Sequence, residues 1–233
     1  MELDDLNDLR DNFKNEERYN FNGIPVPRTT EILSKCIHDD RIVYWANSLG
    51  FKHKGYKKTL NEAADYGTRA HSYIENYLLN GLAPATAMEN WSFTAFLNWW
   101  GQVNNGNTVD IVGQEERMSC PWFGGTYDML ARVNGKLMLV DFKTSNHLSF
   151  KYCLQLAAYG YMLRYNGREM PSAYLVLQLS KYSDEFNELL IDLNKPQNAS
   201  FMAFCEETFL SLVRAFYNVT QVEKLYEKIE GEQ

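Results

Sequence analysis

Apolar residues recur along this chain at two periods, and the switches between them mark out its elements. Residues 61–80, NEAADYGTRAHSYIENYLLN, carry apolar positions every three to four residues and predict a helix that stops before Gly81. Asp39 to Leu49 reads as an earlier helix with Ile42, Val43, Trp45, Ala46 and Leu49 on its buried side. Before both, FNGIPVPRTTEILSKC predicts a short hairpin or extended segment, then a helix through Leu33 capped by Thr29 or Thr30. Residues 89–103 present Trp91, Phe93, Phe96, Leu97, Trp99 and Trp100, an aromatic stripe expected in a core. Val109–Met118 predicts a strand, 125–143 a hairpin, Phe150–Tyr165 a helix, 172–179 and 186–192 further strands, and 197–229 a long helix. The order helix, three strands, helix, strand predicts an α/β or α+β fold: a central mixed sheet with helices on both faces, a helical N-terminal part and a long C-terminal helix.

The hairpin carries the first chemical signal. In GTYDMLARVNGKLMLVDFKTS, Asn134-Gly135 separates two apolar runs, and Asn-Gly favours a two-residue type I′ turn because both positions need positive φ. Counting outward from that turn, Val133 faces Lys136, Leu130 faces Leu139 and Met129 faces Val140. Asp128 then faces Asp141, with Cβ atoms expected roughly 4.5–5.5 Å apart. Like charges directly opposite destabilise a sheet, so two such carboxylates must share a proton, shift their pKa values or hold a cation. Lys143, two residues beyond Asp141, projects from the same face. An ordinary ion-pair cluster at a sheet edge is the competing reading. Against it stands the run Leu137–Val140, of the kind found in strands covered on both faces.

Bulk properties narrow the classes. At 233 residues, with 45% hydrophobic and 23% charged content, the chain is expected to form one globular domain over 21–233. Within it, a helical portion is expected over 28–104, a sheet core over 109–180 and a C-terminal helical region over 197–229. Residues 1–20 are expected to form an acidic flexible arm without the apolar segment of a signal peptide. No apolar run is long enough to span a membrane, so an intracellular, cytoplasmic protein is expected. The net charge of −7 argues weakly against a nucleic-acid binder, but residues 1–17 hold seven acids against Arg10 and Lys14 and account for most of it. Cys36, Cys120, Cys153 and Cys205 are scattered with no C-x-x-C pair, which argues against a zinc ribbon or a disulfide framework. One stretch, FKHKGYKK at 51–58, interleaves cations with rings. It reads either as a solvated loop or as a contact to single-stranded nucleic acid through Lys52, Lys54, Lys57, Lys58 and Tyr56.

Taken in order, five motifs resemble the PD-(D/E)XK nuclease superfamily, most closely its RecB-like and phage-type exonuclease branch. They are His71 in GTRAHSYIE, Glu115 or Glu116 in VGQEERM, Asp128 in GGTYDML, Asp141 and Lys143 in LVDFKTS, and Gln155 with Tyr159 in YCLQLAAYGYM. The likeness runs from about residue 24 to about 180 and implies a restriction-endonuclease-like core. It also implies that Asp128, Asp141 and Glu115 bind one or two Mg²⁺ or Mn²⁺ ions, joined by His71 and the backbone carbonyl of Phe142. Glu115 is preferred over Glu116 because Met118 then lies three residues on, where the family usually has an apolar residue. Lys143 would orient the attacking water and stabilise developing charge, and Gln155 and Tyr159 would position the phosphate or DNA end. The cysteine positions do not match the iron–sulfur cluster of some relatives, and no G-x-x-x-x-G-K-[ST] motif provides an ATP site.

The implied function is a metal-dependent DNA exonuclease in recombination, repair or phage DNA processing. Its partners would be single-stranded or duplex DNA ends, and recombination or single-strand-binding proteins. Two rivals follow from the same residues: a nucleic-acid-binding or assembly module without turnover, and an endonuclease of the same superfamily.

Overall fold

The computed structural model of the chain describes residues 19–38 and 55–231, with Tyr44, Asn47 and Phe51 between them. A small hairpin pairs β1 (Tyr19–Phe21) with β2 (Ile24–Val26) and leads into α1 (Thr29–Cys36). Then come α2 (Tyr56–Asn80), a 3₁₀ turn at Ala85–Glu89 and α3 (Trp91–Asn104). The sheet is built from β3 (Val109–Ser119), β4 (Gly124–Val133), β5 (Lys136–Lys143), β6 (Ala173–Leu179) and β7 (Phe186–Asp192). Between β5 and β6 lies α4 (Phe150–Tyr165), and α5 (Pro196–Gly231) ends the described chain.

The five strands lie side by side in chain order, and every neighbouring pair is antiparallel except β5–β6. That parallel pair needs a crossover, which α4 supplies. The result is the expected mixed sheet with helices on both faces. One face packs Leu130, Leu137, Leu139 and Val176 against α1, α4 and α5 through Ile32, Leu154, Ala158 and Phe209. The other packs Met129, Val140, Phe142, Leu175 and Leu177 against α2 and α3 through Ile74, Phe93, Phe96 and Trp99. The run Leu137–Val140 is apolar because alternate residues enter different cores. The α3 stripe is core as expected, with Phe93, Phe96 and Trp99 buried, although Trp91 is 49% exposed. Phe96 meets Phe142 edge-on at 5.5 Å, tying α3 to the residue between Asp141 and Lys143.

The turn between β4 and β5 is as predicted, with φ of 50° at Asn134 and 80° at Gly135. A Cβ at Gly135 would meet nothing within 4 Å, so a substitution there probes backbone conformation alone. Gly135→Ala is expected to lower stability by about 1–2 kcal/mol, the cost of a left-handed residue with a Cβ. A denaturation midpoint equal to that of the parent would contradict the turn.

Three local expectations are corrected. The cap of α1 is Arg28 rather than a threonine, and the Thr29 hydroxyl instead donates to the Gly124 carbonyl at 3.0 Å. Helix α2 begins at Tyr56, so Tyr56, Lys57 and Lys58 occupy a first helical turn rather than a loop. Lys58 there lies 3.9 Å from Glu62 in an exposed i,i+4 pair. Finally, the β4–β5 ladder stops at Met129↔Val140, so Asp128 and Asp141 are not a ladder pair. The helix expected over Asp39–Leu49 apart from Tyr44 and Asn47, the arm over 1–20 apart from Tyr19 and Asn20, and Lys52 and Lys54 lie outside the described residues. Among the described residues, no helix is long and apolar enough to cross a membrane.

Candidate active site

The ladder stops where it does because β4 breaks its alternation. Tyr127 packs in the α4–α5 core and Met129, two residues on, in the α2–α3 core, whereas residues two apart on a regular strand share a face. Asp128 sits at the slip. Its Oδ2 accepts the Phe142 N–H at 2.5 Å, and its Oδ1 lies 3.5 Å from His71 Nδ1 on α2. The carboxylate thus occupies the wedge where the two strands part.

Glu115 reaches the same place from β3. The strand carries a register shift between Ile111 and Gly113, and Glu115 itself has φ of 45°. Its Oε1 lies 3.9 Å from His71 Nδ1. One ligand atom each from His71, Glu115 and Asp128 falls within 4.8 Å of the others. Glu116 points elsewhere and accepts hydrogen bonds from Tyr127 and Arg168. The structure thus brings Glu115, not Glu116, to His71 and Asp128.

Asp141 and Lys143 stand beside this group. The Lys143 ammonium donates to Asp141 Oδ1 at 2.9 Å and lies 5.0 Å from the centre of the Tyr152 ring. Asp141 Oδ2 is 2.7 Å from the same ammonium but out of hydrogen-bonding alignment, leaving a buried oxygen unsatisfied. A buried carboxylate with one oxygen held only by an ion pair, beside three clustered ligand atoms, suits a hard cation.

Electrostatics follow from this crowding. Burial disfavours a charged His71, but the Asp128 and Glu115 carboxylates outweigh it and raise the imidazole to about 10. Burial opposes the Asp128 charge as well, yet His71, Lys143 and the Phe142 N–H hold that carboxyl below its usual range. Glu115 is pushed up by burial, with His71 pulling back. Asp141 is lifted by burial to about 6 despite Lys143, and the Asp128 charge adds to the lift. The protein therefore balances three acids with an imidazolium and an ammonium.

On α4, Gln155 Nε2 donates to the Tyr159 hydroxyl at 2.6 Å, and both side chains are buried. Tyr159 lines a cavity of about 400 Å³ together with Tyr19, Arg28, Thr29, Thr30, Arg117, Gly125 and Thr126. Gly125 makes this arrangement possible, because a Cβ there would come within 2.6 Å of the Tyr159 ring. Arg28 and Arg117 were not singled out in the sequence. They come from different elements, and no local pattern in the sequence brings them together.

A family model for the PD-(D/E)XK nuclease superfamily matches residues 85–231. Among solved structures, the chain is similar to SSO0001, with 15% identity over 86% of this chain and 78% of that one, at a TM-score of 0.31. It is similar also to a phage-related exonuclease from Haemophilus somnus 129PT, with 10% identity over 67% and 82% of the respective chains and a TM-score of 0.36. An alkaline exonuclease from Laribacter hongkongensis gives 13% identity over 68% and 85%, with a TM-score of 0.32. No curated protein matches the chain.

Proposed function

The chain belongs to the PD-(D/E)XK nuclease superfamily, with its restriction-endonuclease-like α/β fold, and from that premise we propose that it is a metal-dependent deoxyribonuclease acting on DNA ends. The observation that carries this reading is the convergence of His71, Glu115 and Asp128 within 4.8 Å, beside the Asp141–Lys143 pair. Asp128, Asp141 and Glu115 would hold Mg²⁺ or Mn²⁺, with His71 and the Phe142 carbonyl completing the set. When bound, such an ion supplies Lewis acidity toward the phosphate and makes water easier to ionise.

The rest of the chemistry falls to the chain. Lys143, its ammonium oriented by Asp141 and Tyr152, would align the attacking water and offset charge building on the phosphoryl oxygens. Gln155 and Tyr159, locked to each other, would form a rigid wall against the sugar-phosphate. The cavity with Arg28, Arg117 and the Thr30 and Thr126 hydroxyls offers charge and donors for a further phosphate of the same strand. Activity at ends, and a role in recombination, repair or phage DNA processing with recombination or single-strand-binding partners, rest on the motif order shared with RecB-like and phage-type exonucleases.

The test is incubation of end-labelled linear DNA and covalently closed circles with Mn²⁺. Degradation of the linear form with the circle untouched is expected. Nicked circles would make it an endonuclease, and retained binding without cleavage of either form would make it a binding module.

A further inference from the structure

We propose that Glu116, Tyr127 and Arg168 form a brace that holds Glu115 in its left-handed conformation and so positions its carboxylate at the His71–Asp128 cluster. This rests on the ion-binding reading of that cluster and adds the device that assembles it.

The starting observation is the backbone of Glu115. A φ of 45° is costly for any residue with a Cβ and persists only where its surroundings enforce it. The neighbouring residue supplies the enforcement. Glu116 Oε2 accepts the Tyr127 hydroxyl at 2.5 Å and the Arg168 guanidinium at 2.9 Å, two charge-assisted bonds from two different elements. The first donor is itself fixed, and the second reaches Glu116 from an exposed side chain on an anchored backbone. The Tyr127 side chain is buried in the α4–α5 core, and burial together with the Glu116 carboxylate keeps its hydroxyl protonated. Arg168 follows the left-handed Gly167, with φ of 67°, and its N–H closes the end of α4 on the Leu163 carbonyl at 2.9 Å.

Space for the brace is cut into β3. A Cβ at Gly113 would collide with the Tyr127 hydroxyl and crowd Glu116 Oε2. Gly113 is also where the β3–β4 register shifts after Ile111. With Glu116 pinned toward α4, the peptide before it is fixed, and Glu115 is turned toward α2 and His71. Released from the brace, Glu115 would relax to an extended conformation and carry its carboxylate out of reach. The same helix therefore serves the site twice: one stretch presents Gln155 and Tyr159, and a residue after its end holds Glu116.

The test uses Tyr127→Phe, which keeps the ring and deletes the hydroxyl, and Arg168→Gln as a more exposed second variant. Two readouts are taken with thermal unfolding as a control: the His71 imidazole resonances without added metal, assigned with His71→Gln, and Mn²⁺ affinity by calorimetry. Each variant is expected to shift the His71 resonances and to weaken Mn²⁺ binding roughly ten- to hundredfold, the usual effect of losing a group that orients a ligand. Resonances and affinity both unchanged in a folded Tyr127→Phe protein would overturn the brace, even if the unfolding midpoint falls. Glu115→Gln separates the two readings. If it leaves Mn²⁺ binding as in the parent, the ion-binding assignment of Glu115 fails, and the brace stands or falls on the His71 resonances alone.

Discussion

Lys143→Ala is expected to lower cleavage of end-labelled DNA at saturating Mn²⁺ by roughly 10²–10³-fold or more, the scale seen when one preorganised charge-stabilising donor is removed. The Lys143 side chain is only 18% exposed, its ammonium held between Asp141 and the face of Tyr152, so its position is set before substrate arrives. No other described lysine or arginine is placed against Asp141, and water entering the gap would not reproduce a fixed cation. Mn²⁺ affinity is expected to stay level or rise, because a positive charge leaves a cluster of three acids. That combination, cleavage lost and ion binding kept, distinguishes a group acting on the phosphate from a ligand. Single-turnover kinetics and calorimetry on the same folded preparation read both, and full activity would remove Lys143 from the chemistry.

Asp128→Asn is expected to do the opposite to the ion. The amide is nearly isosteric, and its oxygen can still accept the Phe142 N–H, so the strand wedge survives. What disappears is the anionic oxygen 3.5 Å from His71 Nδ1. A neutral amide is a poorer ligand for a hard divalent cation, and Mn²⁺ affinity should fall beyond the roughly 10–100-fold typical of losing a group behind the ligands. Cleavage should fall with it. Unchanged Mn²⁺ binding by calorimetry would take Asp128 out of the ligand set and, with it, the centre of the proposed site.

Much of this was legible in the sequence, for physical reasons that differ by element. Helix α4 is legible to the residue, and β7 likewise, because α4 is apolar along most of its length and the ends of both are punctuated by Ser149, Asn166 and the turn at 180–185. The β4–β5 register followed from Asn134-Gly135, since a two-residue turn leaves one way to count. The facing of Asp128 and Asp141 did not follow. Alternation read from the turn assumes an unbroken pleat, and at Asp128 that pleat is broken, because Tyr127 and Met129 enter different cores, which no local pattern records. The choice between Glu115 and Glu116 is of the same kind. Neighbouring strand residues point opposite ways, and only the partners of Glu116 show which way is which. Arg28 and Arg117 were invisible because their cavity is assembled from five separate segments. The start of α2 was missed because Lys57 and Lys58 suggested a solvated loop, whereas exposed lysines sit comfortably in a first helical turn.

The two-residue turn of the β4–β5 hairpin also bears on how the molecule assembles. Asp128, Asp141 and Lys143 belong to one short stretch whose ends meet with little loss of chain entropy, whereas His71 must arrive from a helix more than fifty residues upstream. On the proposed ligand set, a chain with the hairpin formed and α2 undocked would have half its ligands and little hold on any ion. Affinity would then appear only once α2 docks, and an ion held there would draw the population toward the completed molecule by mass action.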